Sequence, residues 1–485
     1  MHFSVVDWVI VIVYLVGSLA AGLYGKKYVS DVADFLVAGR ELGTFIGIAT
    51  LAATEIGTIT FMYNAQLGYQ TGFASFITGL ISGVVMIVIG RTGFIVKQLR
   101  AMRLMTIPEF MEVKFSRRLR ILTGVLVAVG GILNMGVFLK IEGQFLTIVS
   151  GIPYQYLKEV MTGILVLELL YTVLGGMVSI VITDFIQFCA LSLGTVLVTI
   201  WAIHMAGWGN MYHAVAQNMG AGGFSPIINP RYGWMYIFFQ ILVWLSVNTC
   251  WQTTAMRTFS TESPEVSKRV FSWTGFIFLG RGMMPMLWGI AALALLGPHV
   301  NSLNAMPTML AKILPAGVLG LVVAGMLAAT MSVNSSYLLG WSSIVAQDII
   351  HPMRKTPLSP RKQMVLNRVC NLFVSLFVLY WSLWYTLPGP AYFYLNITGT
   401  IFLAGALSAV IGGLFWKRAN ILGGYCALIF GAIGTVGFFF FHFSAPAAGM
   451  LAYGLAAVGM ILGSLLGKSR KVPPAAEPMP AAAAE

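Results

Sequence analysis

Three serines and one aspartate have the types and spacing of a cation site. Ser332, Ser335 and Ser336 stand at positions i, i+3 and i+4, which a helix brings onto one face within one turn. Asp184, in the segment GGMVSIVITDFIQ, would add a charged oxygen. Hydroxyl and carboxylate oxygens suit a hard cation such as Na⁺. The alternative interpretation is that each serine bonds back to the backbone of its own helix.

Glu55 is a carboxylate in the middle of an apolar segment, LAATEIGTITF, which glycine and threonine interrupt. Such a segment can break its helix and free backbone carbonyls to bind a cation. A charge at membrane depth is costly and normally faces a cavity or a partner. The alternative interpretation is that the small residues here allow close packing of helices.

Other charged residues fall within apolar segments. Lys140 and Arg281 favour a solute that carries a carboxylate, although either could pair with an acid such as Glu55. Glu142 is predicted near an outer end, where its head could reach the membrane surface. Glu168 is predicted to form a buried structural hydrogen bond.

The amino-acid composition indicates the broad class of protein to which these residues belong. Of the 485 residues, 58% are hydrophobic and only 9% are charged, and the mean hydropathy is +0.84. Soluble domains carry about 25% charged residues. The values therefore exclude a soluble enzyme, a soluble nucleic-acid-binding protein and a disordered protein. The chain is predicted to be an all-α membrane protein.

Thirteen apolar segments are long enough to cross a bilayer. They lie at about 5–25, 43–66, 72–96, 121–149, 156–177, 181–205, 233–256, 270–297, 316–346, 366–387, 390–416, 420–443 and 446–467. The sequence thus predicts one multi-pass domain, 1–471, followed by a disordered cytoplasmic tail, 472–485. No segment between the spans is large enough for separate chemistry, so function is expected inside the bundle.

The basic residues predict the orientation of these spans. On one side the predicted loops hold 23 of the 29 lysines and arginines, Arg257 among them, whereas the other side holds only Lys158, Arg231 and Lys312. By the positive-inside rule, the N-terminus is predicted outside and the C-terminus in the cytoplasm. The net charge of +13 is then explained by topology and lipid contact, without nucleic acid.

The sequence offers no motif for catalysis or a cofactor. The four cysteines lie in apolar segments without paired spacing. A phosphate-binding loop, a metal-ligand motif and a nucleophile elbow are all missing from the sequence. The chain is therefore predicted not to be an enzyme and to need no cofactor.

Four segments of the chain resemble the solute:sodium symporter family, which includes sodium/sugar, proline, pantothenate and sialic-acid transporters. They are TIPEFMEVKFSRRLR at 106–120, GIPY at 151–154, GGMVSIVITDFIQ at 175–187 and LAATMSVNSS at 327–336. The resemblance covers nearly the whole chain. It implies a LeuT-like fold with an inverted five-plus-five repeat, formed by spans two to six (about 43–205) and seven to eleven (about 233–416). Spans two and seven would be broken helices.

The same resemblance implies two sodium sites. The principal site would use the backbone carbonyls of Ala53, Ile56 and Ala329 and the hydroxyl of Ser332. Val333 stands where the family usually has serine or threonine, so one ligand is missing. The second site, found in some members, would use Ser332, Ser335, Ser336 and Asp184. The positions expected to bind solute or couple it to the ion are Glu55, Gly57, Thr60, Lys140, Trp251, Gln252 and Asn396.

These features predict a sodium-coupled symporter that imports a small polar solute, with a carboxylate-bearing solute favoured. Its expected partners are Na⁺, the solute and the lipid bilayer, and the functional unit is expected to be a monomer in the plasma membrane, with a bacterial inner membrane favoured. One alternative is a proton-coupled carrier of the same fold that uses Glu55 or Asp184, motivated by Val333. The other is a transporter-like membrane sensor.

Overall fold

The computed structural model is built from helices and describes residues 3–25, 36–354, 358–387 and 389–467, with backbone alone at 22, 23, 25, 171–176 and 360. The predicted tail, 472–485, lies outside these residues. The helices are α1 Val5–Gly25, α2 Thr44–Glu55, α3 Thr58–Thr71, α4 Phe76–Thr92, α5 Val96–Ala101, α6 Ile107–Lys114, α7 Arg117–Met135, α8 Phe138–Ser150, α9 Leu157–Ala206, α10 Trp208–Met219, α11 Gly233–Cys250, α12 Gln252–Ser260, α13 Pro264–Leu296, α14 Ala305–Ile313, α15 Val318–Ile344, α16 Pro360–Trp384, α17 Ala391–Phe415, α18 Ile421–Gly434, α19 Val436–Phe441 and α20 Ala445–Leu466. A π-helical turn, Val345–Ile350, and a last turn, His351–Met353, continue α15.

Ten helical runs in the described part of the chain are long and apolar enough to cross a membrane, and Val5–Ala21 and Thr44–Glu55 are shorter apolar helices. Each of the thirteen predicted spans overlaps at least one helix. The all-helical class is therefore confirmed. The count of thirteen spans and the orientation of the termini stay predictions.

The fifth and sixth predicted spans are joined without a turn. The predicted spans 156–177 and 181–205 fall in a single helix, α9, of 50 residues. At 1.5 Å per residue, 50 helical residues rise about 75 Å in total, more than twice the roughly 30 Å of a bilayer core, so α9 is long enough to contain both predicted spans. Its sequence contains no proline, and the glycine pair Gly175–Gly176 does not by itself end a helix.

Two helices are broken where the resemblance implied breaks, in spans two and seven. The α2 helix ends at Glu55, Ile56 and Gly57 leave helical geometry at ψ of 81° and 168°, and α3 begins at Thr58. The α11 helix ends at Cys250, Trp251 is extended at ψ 128°, and α12 begins at Gln252. Both breaks are confirmed. Each leaves backbone groups that the helix itself does not pair.

Glycines let the helices around the first break pack closely. A Cβ atom at Gly68 on α3 would lie 2.0 Å from the carbonyl oxygen of Met286 on α13. A Cβ atom at Gly289 would lie 1.9 Å from the carbonyl oxygen of Ala65. Only glycine permits this approach, which holds α3 against α13. The α15 run is the most completely buried of the ten apolar runs, so the remaining helices surround it.

Candidate functional site

The first helix break lies against the middle of α15. The Thr58 hydroxyl donates a 2.6 Å hydrogen bond to the carbonyl oxygen of Met326, and the hydroxyls of Thr54 and Ser336 are 3.4 Å apart. These two contacts lie on either side of the break, and their partners on α15, Met326 and Ser336, are ten residues apart in the sequence. The stretch of α15 between them, which contains 329–333, therefore faces Ile56 and Gly57.

This contact brings the residues of the predicted principal sodium site to one region. Ala53, Ala329 and Ser332 are fully buried, and Ile56 is 8% exposed. Together they supply three backbone carbonyl oxygens and one hydroxyl oxygen, a donor set that fits a hard monovalent cation. The N–H of Ile56 donates to the Ala53 carbonyl at 3.2 Å, which closes the last turn of α2.

Val333 contributes a methyl contact at this place instead of an oxygen. A Cβ atom built on Gly57 would lie 2.8 Å from Val333 Cγ2. The valine therefore packs directly on the backbone of the break. The hydroxyl that serine or threonine would supply here is replaced by apolar surface.

Asp184 on α9 lies at the centre of a hydrogen-bonded group that includes residues of the predicted second sodium site. Its Oδ1 atom accepts a hydrogen bond from the Ser332 hydroxyl, and its Oδ2 atom accepts one of 2.5 Å from Thr50. The Arg257 Nη2 atom lies 3.3 Å from Oδ2 and donates a 2.6 Å bond to the Ser336 hydroxyl. Three of the four predicted ligands thus meet. The fourth, Ser335, is buried and donates back to the Ser332 carbonyl at 3.1 Å.

Arg257 lies at a different place from the one its sequence context indicated. The sequence predicts a cytoplasmic loop at Arg257 because this charge ends an apolar run, but α12 continues to Ser260 and the arginine is only 1% exposed. That loop assignment is wrong. The signal that could have identified it is Asp184, because a buried carboxylate normally has a cationic partner.

A cavity opens beside the first break and extends to the second. The volume of this cavity is about 100 Å³. Four of the seven residues predicted to bind or couple solute line it: Glu55, Thr60, Trp251 and Asn396. Arg281 on α13 lines it as well.

Glu55 and Arg281 bring opposite charges to this cavity without pairing. Glu55 Oε1 accepts hydrogen bonds from Thr253 at 3.2 Å and Thr254 at 3.1 Å. The Arg281 guanidinium carbon lies 4.2 Å from the centre of the Phe278 ring, and its buried Nη1 atom has no hydrogen-bond partner. Among the described residues, Arg281 forms no ion pair within 4.0 Å.

The other three predicted solute positions lie outside the cavity lining. Lys140 donates a 2.8 Å hydrogen bond to the carbonyl of Tyr385. Gln252 accepts a bond from the N–H of Ile107 at 3.2 Å and so fastens α12 to the start of α6. Gly57 forms the break itself.

Several aromatic and amide residues line the cavity without having been predicted. Tyr337 accepts a 3.0 Å hydrogen bond from Trp251 Nε1, and Asn134, Tyr63, Trp244 and Tyr392 also face the cavity. Aromatic side chains inside an apolar helix resemble core residues in the sequence. Only the packing of helices distant in the chain distinguishes them from the core.

The comparisons with known proteins agree with this geometry. The family model for the sodium:solute symporter family matches residues 35–431. The chain belongs to the sodium:solute symporter family. Membership of this family makes it a multi-pass membrane transporter and not an enzyme.

Individual family members have low sequence identity to this chain, but the alignments cover most of their length. The chain is 24% identical to the sodium/glucose cotransporter of Vibrio parahaemolyticus over 90% of this chain and 85% of that protein. It is 25% identical to the osmoregulated proline transporter OpuE of Bacillus subtilis (strain 168), over 87% and 86%. A solved structure of a Na⁺-coupled sialic acid symporter superposes with a TM-score of 0.83 at 21% identity, over 97% and 100%. The chain therefore has the LeuT-like fold that the family resemblance implied.

Proposed function

We propose that this protein is a sodium-coupled secondary active symporter that imports a small polar solute by alternating access. The observation that carries the proposal is the contact between the Ile56–Gly57 break and α15. It brings a buried set of carbonyl and hydroxyl oxygens beside a cavity lined by charged groups. Broken helices of this kind bind the coupling ion and solute in many transporters.

We propose that sodium is held by the carbonyls of Ala53, Ile56 and Ala329 and the hydroxyl of Ser332. In the sequence, Glu55 stands between Ala53 and Ile56, and its side chain lines the cavity. A sodium ion that orders this turn would also order one wall of the cavity. Sodium and solute would then strengthen each other's binding by the same factor, which is the condition for coupling.

The second set, Ser332, Ser335, Ser336 and Asp184, is proposed to be the weaker sodium site. The Arg257 guanidinium already lies 3.3 Å from Asp184 and bonds Ser336. A sodium ion entering there would meet a like charge in a medium of low dielectric constant, which opposes binding. We therefore expect one sodium ion for each solute molecule.

The preferred solute is proposed to be a small zwitterion such as an amino acid. The free Nη1 atom of Arg281 would donate to a carboxylate, and the Glu55 carboxylate would face the ammonium group. Because the two side chains form no ion pair, each charge stays available to the solute. A neutral sugar would leave both buried charges uncompensated.

The solute class can be tested in proteoliposomes with an inward sodium gradient. Labelled amino acids, monocarboxylates and sugars are offered in turn, and amino acids are expected to give the fastest uptake. Arg281→Gln should abolish most of it, whereas the matched variant Lys140→Gln, outside the cavity, should transport nearly as well as the wild type. Sugar uptake that survives Arg281→Gln would contradict the zwitterion proposal.

A proton-coupled carrier remains the second candidate, because Val333 removes one oxygen from the principal site. Uptake under separate sodium and proton gradients distinguishes the two. The proposed location is the plasma membrane, in a bacterium the inner membrane, with a monomer as the functional unit. Cysteine labelling should find 97–120 in the cytoplasm and 206–232 outside.

A further inference from the structure

Two glutamates away from the cavity share one amide on the central helix. The Asn334 Nδ2 atom on α15 donates a 2.8 Å hydrogen bond to Glu142 Oε2 on α8 and a 3.0 Å bond to Glu168 Oε1 on α9. The three side chains are at most 2% exposed. The expectation that Glu142 reaches a membrane surface is therefore wrong, because its carboxyl is inside the bundle.

The hydrogen bonding of this Glu142–Glu168–Asn334 cluster is incomplete. Glu142 Oε1, Glu168 Oε2 and Asn334 Oδ1 are buried and have no hydrogen-bond partner. The amide supplies only two hydrogens, and both are used by the two glutamates. A buried acceptor without a donor is costly, so three unfilled oxygens in one place indicate a missing donor.

No cation balances the charge of the two carboxyl groups. Among the described residues, neither Glu142 nor Glu168 forms an ion pair within 4.0 Å. Two buried carboxylates so close together cannot both stay ionised without compensation. A bound proton would supply both the missing donor and the missing charge.

The charged and titratable groups on the surrounding helices have other positions or partners. They include Lys140 on α8, Lys158, Glu159, Asp184, Cys189 and His204 on α9, Tyr337 on α15, Asp348 in the turn that continues α15, Arg361, Lys362, Arg368, Cys370 and Tyr380 on α16, Lys312 on α14, Tyr63 and Tyr69 on α3, Asp7 and Tyr14 on α1, Glu55 on α2, Arg120 on α7 and Arg281 on α13. Lys140 binds the Tyr385 carbonyl, Asp184 pairs with Arg257, and Asp348 pairs with Arg120.

We propose that Glu142 and Glu168 form a proton-binding site that loads and releases one proton during transport. The proton binds a carboxylate oxygen of one glutamate and is donated in a hydrogen bond to the other glutamate or to Asn334 Oδ1. A metal ion fits less well, because the cluster offers only three free oxygens where calcium takes six to eight. The site is distinct from the residues proposed for sodium and solute.

Its position on α15 connects this site with the sodium region. Asn334 and Ser332 are two residues apart, which is a rotation of about 200° around a helix. Asn334 therefore points away from the Ser332–Asp184 contact, toward α8 and the first half of α9. Proton binding on one side of α15 and cation binding on the other would bias the same helix.

The role of this proton in transport rests on the proposed symport and can be tested with a pH-sensitive dye inside proteoliposomes. With an inward sodium gradient at equal pH on both sides and the membrane potential clamped, added solute should acidify the interior in step with its uptake. The double variant Glu142→Gln/Glu168→Gln should reduce this acidification to the level of protein-free liposomes. Glu159→Gln, an exposed acid on the same α9 helix, is the matched control and should acidify like the wild type.

The outcomes separate this proposal from the symport itself. Sodium-driven uptake without acidification in the wild type, or acidification unchanged in the double variant, would overturn the proton site and leave sodium symport standing. Absence of any sodium-driven uptake would instead refute the proposed function. Infrared spectroscopy then tests the site without transport: a pH-dependent carbonyl stretch of a protonated carboxylic acid should weaken in Glu142→Gln or Glu168→Gln and persist in Glu159→Gln. A spectrum that neither single variant alters would overturn the site.

Discussion

Thr254 on α12 donates a 3.1 Å hydrogen bond to Glu55 at the end of α2 and so joins the two broken helices of the fold. Glu55 precedes the first break directly, and Thr254 follows the second break at Trp251 by three residues. A single carboxylate therefore links both discontinuities and lines the cavity between them. Glu55 therefore forms a direct hydrogen-bonded connection between the two breaks.

Removing the charge of Glu55 should weaken transport without unfolding the protein. Glu55→Gln keeps the shape and leaves an oxygen to accept from Thr253 and Thr254. Because a hydrogen bond to a charged group contributes roughly 1.5–3 kcal/mol, we expect the sodium or solute concentration for half-maximal uptake to rise at least about tenfold. Uptake assays and thermal unfolding check this. Wild-type kinetics in the variant would show that the Glu55 charge is not used.

Asp184 and Arg257 should behave as a unit in stability measurements. Asp184→Asn leaves a fully buried guanidinium without its counter-charge, and breaking such a pair costs about 3–5 kcal/mol. The double variant Asp184→Asn/Arg257→Gln should be more stable than the sum of the two single losses predicts. Thermal unfolding of the three variants in detergent measures this coupling. Strictly additive losses would mean that the two residues do not interact in the folded protein.

Val333→Thr should tighten the dependence of transport on sodium. The substitution keeps the size of the side chain and adds a hydroxyl beside the Ile56–Gly57 break. The half-maximal sodium concentration should fall several-fold, because the principal site gains an oxygen ligand. Val333→Ala, which changes the packing without adding an oxygen, is the control. Equal effects of the two substitutions would assign the change to packing alone.

Gly57→Ala should reduce transport through a steric contact. The added Cβ atom would lie 2.8 Å from Val333 Cγ2, so either the break or α15 must shift. A displacement of this size at the ion ligands should cost most of the uptake rate. Val333→Ala in the same chain removes the contacting methyl and should restore part of it. No rescue by Val333→Ala would place the defect in the backbone conformation at Gly57.

The sequence predicted those parts of the site that depend on local composition. The interruption of an apolar run by Glu55, Gly57 and threonines indicated the first break, and the spacing of Ser332 and Ser336 indicated a polar face toward Asp184. These signals are local because backbone breaks and helix faces follow from neighbouring residues.

The remaining features depend on contacts between distant helices, which the sequence pattern did not reveal. The sequence pattern places Arg257 at the end of a span, because its counter-charge, Asp184, lies 73 residues away in the sequence. Glu142 and Glu168 share Asn334 only because α8 and α9 both pack on this part of α15. Apolar periodicity cannot tell which face of a membrane helix meets which partner, since nearly all faces are apolar.

The most direct test of the account is solute uptake by purified protein in proteoliposomes, driven either by a sodium gradient or by a proton gradient alone. We predict that a sodium gradient drives accumulation, that a proton gradient in the absence of sodium does not, and that Ser332→Ala raises the half-maximal sodium concentration at least about tenfold, since it removes the one side-chain ligand of the principal site. Accumulation that is independent of sodium, with Ser332→Ala indistinguishable from the wild type, would contradict sodium-coupled symport at the α2–α15 contact.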